Sequence, residues 1–267
     1  MVKLFFIFLA AVFFSCTDGA VSEKHSNNTD MPEEERNLRS MAEQYPDSLV
    51  LTENLIEYFK GNDNYGQAIA ETEYALKRDS LNPRLLYIRA YLLSENADTV
   101  QAVKAWEKLV AVDPEPKNVM SLGSMYALTK NPKAIALADT MLANPRANLN
   151  IQALFIKGLY YSSIAEKMKA ITFFDKCLAL DYNYLFAYRE KAICLYDLGK
   201  YADALKVLQL SLTIKKTNEE AYYWMGRCYE KLSLRNEAIK NYEMAIQLAP
   251  DYIEAKDALA KMGVKTP

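Results

Sequence analysis

Along residues 49–252 the apolar positions fall in stripes three and four apart rather than alternating, which predicts amphipathic helices and no sheet. The stripes return about every 34 residues, six times over, in units that start at Leu49, Pro83, Lys117, Ile151, Leu185 and Glu219. Each unit reads as two helices. Counting from each start, position 8 is Ile56, Ala90, Gly158, Ala192 or Gly226, and position 20 is Ala68, Ala102, Ala170, Ala204 or Ala238. Position 11 is bulky: Phe59, Leu93, Tyr161, Leu195 and Tyr229. Small beside large along one stripe lets the ridge of one helix enter the groove of the next, so each unit buries its apolar face against its neighbours. The third unit keeps its length but shifts inside it. Gly123, Tyr126 and the pair Ala134 and Ile135 come one or two places early, and the tail Ala143 to Asn150 is longer.

The sixth unit carries Ala221-Tyr222-Tyr223-Trp224-Met225-Gly226, then Tyr229, Ala238, Tyr242, Ala245 and Pro250, and it resembles the tetratricopeptide repeat family. That resemblance implies an all-α fold, a right-handed superhelical solenoid of six helix pairs over 49–82, 83–116, 117–150, 151–184, 185–218 and 219–252. It further implies a single N-terminal helix within 31–48 and a capping helix with a short tail over 253–267. Lys191 departs from the family pattern at a usually apolar position, and Tyr182 and Lys216 stand where proline is common.

The start of the chain is of another kind. Lys3 precedes the apolar run Leu4 to Phe14, then Ser15 and Cys16. The run is too short for a bilayer, which takes about 20 residues, and the layout is that of an export signal over 1–15. Ser15 directly before Cys16 resembles the bacterial lipobox, which implies a lipid on Cys16; an ordinary cleaved signal and an uncleaved anchor are the alternatives. Thr17 to Asp30 holds nothing apolar after Val21, which predicts a tether with a reach of roughly 20 Å. Thr17 after the cysteine points, by analogy with bacterial sorting, to the outer membrane facing the periplasm.

Composition narrows the chemistry. The formal net charge is −2, without the basic stripe a nucleic-acid partner requires. The one histidine, His25, lies in the tether, so the helices hold no imidazole for a triad, proton shuttle or histidine metal site. No glycine-rich phosphate loop is present. We therefore expect no enzyme, no cofactor and no metal. Cys177 and Cys194 fall on successive units, where buried thiols or a disulfide would fit an exported protein.

In the tetratricopeptide repeat family function lies on the concave face of the first helices. The resemblance places Arg84, Tyr87, Tyr91, Phe155, Phe186, Arg189, Tyr196, Tyr223, Trp224, Arg227 and Lys231 on that face. Aromatic and arginine side chains are enriched at binding hot spots, which implies a protein or peptide guest. The same tyrosines would also serve as packing between first helices. The carboxylate clamp of some family members is not matched: the first unit offers Glu53 and Glu57 where Lys and Asn are required. The functional expectation is a membrane-tethered scaffold in the bacterial cell envelope. The alternative is a glycan-binding envelope lipoprotein using groove aromatics, although the long insertions of such proteins are missing here.

Overall fold

The computed structural model of the protein describes residues 31–143 and 149–264. The signal over 1–15, the lipid-bearing Cys16, the tether to residue 30, part of the long third-unit tail and residues 265–267 lie outside the described residues. Among the described residues every regular element is a helix. A single helix α1 (Glu33–Gln44) is followed by six pairs: α2 (Leu49–Gly61) with α3 (Tyr65–Leu76), α4 (Pro83–Glu95) with α5 (Thr99–Val112), α6 (Pro116–Leu128) with α7 (Lys133–Ala143), α8 (Asn150–Ser163) with α9 (Lys167–Leu180), α10 (Leu185–Asp197) with α11 (Tyr201–Ile214), and α12 (Glu219–Lys231) with α13 (Arg235–Leu248). The chain closes on α14 (Ile253–Lys261). The fold is the all-helical solenoid that the repeat implied.

Local chemistry sets the helix ends. Asn64, Asn82, Asp98 and Asn218 cap α3, α4, α5 and α12, their side-chain oxygens accepting from otherwise orphaned backbone N–H groups. Pro83 and Pro116 open α4 and α6, where the missing N–H costs nothing. Every turn inside a pair contains one left-handed residue: Asp63, Ala97, Lys130, Ala165, Gly199 and Ser233, with φ between 55 and 73°. The turns share a Schellman pattern; in the last, the Ser233 N–H donates to the Glu230 carbonyl and the Leu234 N–H to the Tyr229 carbonyl. Five of these six positions are not glycine. Gly199→Ala should therefore cost roughly 1 kcal/mol, since a Cβ there meets nothing within 4 Å and only the backbone objects. Ala165→Gly should gain roughly 0.5–1 kcal/mol, as relief of the left-handed strain exceeds the entropy glycine loses on folding. Urea melts of both variants test the pair of signs; equal signs would refute the account.

The alanines at position 20 are all fully buried, so each second helix closely approaches the first helices beside it. At position 8, Gly158 lies under the ring of Phe174 and Gly226 under that of Tyr242, each ring coming from the second helix of the same unit. The third unit differs. Its Gly123 faces Ile156 of α8 instead, and the buried side chains of α7 are only Ala134, Ala138 and Met141. α7 contributes no ring to this pair, and the unit is tied to its successor more than to itself. One continuous core nevertheless runs from Leu76 to Cys228, with a smaller cluster at each end. Lys191, the departure from the apolar pattern, keeps its ammonium at the surface by pairing with Asp175 at 2.5 Å.

Candidate functional site

Three contacts with one spacing define the face shared by the first helices. Arg84 Nε donates to Glu53 Oε1 at 2.8 Å, Arg189 Nη1 to Glu220 Oε2 at 2.8 Å, and Arg227 Nη2 to the Tyr196 hydroxyl at 3.1 Å. Each joins residues 31 apart, on consecutive first helices. This face carries two separate regions.

The first lies between α2 and α4. Ile56, Ile88 and Leu92 floor a cleft of about 180 Å³, with Tyr87 and Tyr91 on one wall. Tyr87 is exposed, yet its ring is braced edge-on against the buried Trp106 at 5.7 Å. Lys60 reaches 5.6 Å above the Tyr91 ring and also pairs with Glu57 at 2.7 Å. Arg84, exposed and paired with Glu53, closes the other end. The result is an apolar trough between two ion pairs, suited to one apolar side chain with polar flanks.

The second spans α10 and α12. The Arg189 guanidinium lies 5.5 Å from the centre of the exposed Phe186 ring, and it is shared between Glu190, at 3.0 Å, and Glu220. A cleft of about 300 Å³ beside it is lined by Tyr184, Phe186, Lys215 and Glu219. The Tyr184 hydroxyl is buried there without a hydrogen-bond partner, and burial pushes its pKa up to about 12. Burial also raises the Glu190 carboxyl above its ordinary 4.5, outweighing the attraction of Arg189. The folded chain therefore holds this proton at pH values where the unfolded chain has released it. Its contribution to stability is full below about pH 4.5 and is lost as pH rises through the folded pKa. Glu190→Gln should flatten the pH dependence of the urea midpoint above pH 4.5; an unchanged slope would refute this.

One expected groove residue is corrected. Phe155 is buried, 4% exposed, and packs against Phe174 at 5.7 Å and Tyr184 at 5.4 Å, so it belongs to the core. Arg227 stays on the first-helix face, held by its neighbours. It lies among Tyr196, Trp224 and Tyr223, 5.0, 5.2 and 5.8 Å from their ring centres, and donates to the hydroxyls of Tyr196 and Tyr223 at 3.1 Å. All four are half-buried and braced by one another. Arg84, Tyr87, Tyr91, Phe186 and Lys231 are exposed, and Arg189 is half-buried. The sequence-based choice omitted Ile56, Ile88, Lys60 and Tyr184, which shape the two clefts. Opposite charges 31 apart, Glu53 with Arg84 and Arg189 with Glu220, were the legible signal for which first helices touch.

Cys177, Cys194 and Cys228 are free and buried, and no disulfide joins them. Burial pushes the Cys177 and Cys228 thiols up to about 12, far from nucleophilic use. Among the described residues no cluster of His, Cys, Asp and Glu could hold a metal, and no helix is long and apolar enough to cross a membrane.

Architecture and face together define a helix-pair repeat solenoid. Family models for the tetratricopeptide repeat match residues 151–184 and 195–262. A TPR repeat-containing protein of Methanocaldococcus jannaschii is 33% identical over 76 residues, which is 28% of this chain and 22% of that protein. The chain thus spans less than a quarter of that relative's length. Among solved structures, a tetratricopeptide repeat protein from Parabacteroides merdae superposes with a TM-score of 0.67 at 18% identity, covering 85% of this chain and 90% of that one. PilW, titled a widely conserved type IV pilus biogenesis factor, superposes with a TM-score of 0.55 at 18% identity, covering 79% and 99%. Residues 151–184 and 195–262 are thus tetratricopeptide repeats, set in a longer solenoid of the same fold.

Proposed function

We propose that this chain is a membrane-tethered docking scaffold of the bacterial cell envelope, which takes a peptide segment of a partner protein along its first-helix face. A scaffold for protein interaction is what the fold suggests. The observation that carries the finer reading is the pairing of exposed rings with adjacent clefts: Tyr87 and Tyr91 beside the trough of α2 and α4, and Phe186 beside the cleft of α10 and α12. A ring held ready at the lip of a cleft is hot-spot chemistry. Two such places on one face suit an extended or helical guest with two anchors. The tether is supported by the sequence alone, through Lys3, the run Leu4 to Phe14, and Ser15 before Cys16. Thr17 favours the outer membrane, with the solenoid in the periplasm.

A photoreactive residue in place of Tyr91 or Phe186, with a control at the exposed Lys240 on α13, tests the docking face inside the cell. The expected result is the same defined protein adducts at Tyr91 and Phe186 and none at Lys240. Adducts equal at all three positions, or absent from the first two, would overturn the reading. Separately, Cys16→Ala should abolish incorporation of labelled fatty acid and release the chain from the membrane fraction. Persistent labelling would rule out the lipid on Cys16.

A further inference from the structure

The α1 end of the solenoid carries an apolar patch that the first-helix face leaves unused. Tyr45 and Val50 flank the connection between α1 and α2 and are 54% and 66% exposed; Tyr74, near the end of α3, is 56% and Leu81, just before α4, is 59% exposed. Large apolar side chains scattered singly over a surface are ordinary, but here the two connections that carry them are bridged. The Arg78 guanidinium donates to the Pro46 carbonyl, beside Tyr45, and lies 5.1 Å from the centre of the Tyr74 ring. Lys77 stands 6.0 Å from the same ring. Neither cation forms an ion pair among the described residues. Val50 and Leu81 each precede by three residues a member of the Glu53 and Arg84 ion pair, which brings the starts of α2 and α4 together.

The make-up of this edge suits a lipid–water boundary. Tyrosine offers an apolar body and a polar tip, and lysine and arginine keep an apolar stem near lipid with the charge in the headgroup layer. Asp47 and Asp79 in the same two connections keep the patch near neutral, so ring and aliphatic contact carries the attraction more than charge. Where the chain leads points the same way. The described residues begin at 31, and Cys16 lies 15 residues earlier. Even fully extended, that length reaches no more than about 50 Å, so a lipid on Cys16 keeps the α1 end within that distance of the bilayer. A surface already tethered faces a high effective concentration of lipid, and a modest patch then suffices.

We propose that Tyr45, Val50, Tyr74 and Leu81, with Lys77 and Arg78, seat the solenoid on the lipid surface that holds its N-terminus. This sets the direction in which the first-helix face points. The inference rests on the reading that Cys16 is lipidated, and the test separates the two. Full-length protein with a fluorophore at Ser80→Cys, and a second sample labelled at Asp257→Cys on α14, is reconstituted into vesicles of phosphatidylethanolamine and phosphatidylglycerol carrying brominated acyl chains. Both sites are exposed, whereas the native thiols of the helices are buried. We expect several-fold stronger quenching at position 80 than at 257. Tyr45→Ser, Tyr74→Ser and Leu81→Ser together should abolish that difference while the chain still floats with the vesicles. Flotation with equal, weak quenching at both sites would overturn the patch and leave the lipid anchor standing. Failure of the unmodified full chain to float would overturn the anchor, and the seating with it.

Discussion

Phe174→Ala should lower the stability of the solenoid by about 3–5 kcal/mol, read as a fall in Tm of roughly 10 °C. The ring is fully buried, packs 5.7 Å from that of Phe155, and fills the space that Gly158 leaves open across the α8–α9 pair. Removing it leaves a cavity walled in part by the bare backbone at Gly158, where no side chain can collapse inward. In a repeat array the loss is felt on both sides, because α8 and α10 each pack on α9. A drop below about 1 kcal/mol would mean that the pair closes up without its ring, and the account of small-against-large packing would be wrong.

The same pairing shows what could be read in the sequence. Gly158 and Gly226 at one position, with Phe174 and Tyr242 sixteen residues on, announce a ring over a glycine before any coordinates are known. The third unit was harder to place. Gly123 keeps the glycine, but no large ring follows, and what meets it is Ile156 from the next unit. Only the three-dimensional register reveals that substitution of neighbours.

The face was legible as a stripe but not in its details. Phe155 occupies a register position held elsewhere by Glu53, Tyr87, Arg189 and Tyr223. Those side chains have polar tips that keep them at water. Phenylalanine has none, so it turns inward among Phe174, Tyr184 and Phe186. The packing around Arg227 was hidden for a related reason. Tyr196 sits one unit earlier at the 31-residue offset, and Tyr223 one turn earlier on the same helix, and each accepts one hydrogen bond from the guanidinium. Half-buried guanidinium without a carboxylate partner is tolerable here because three ring faces supply the compensating electron density.

Gly158→Ala gives the second large effect, and its sign depends on Phe174. On an open helix the change would gain about 1 kcal/mol from helix propensity. Here the added Cβ would lie 2.4 Å from Cε1 of the Phe174 ring, and the ring has nowhere to go because it is already fully buried. Overpacking of this kind costs about 1–3 kcal/mol and should exceed the propensity gain, so the single variant is destabilised. In the Phe174→Ala background the clash is gone and the methyl enters the cavity, so the same substitution becomes stabilising. The two changes should therefore show a coupling energy on the order of 1–3 kcal/mol in a double-mutant cycle read by urea denaturation. Gly226→Ala should behave alike against Tyr242, whose Cε1 would lie 2.6 Å from the new Cβ. Additive effects at either pair would mean that the glycines serve the backbone alone and that the rings do not set the spacing of the helix pairs.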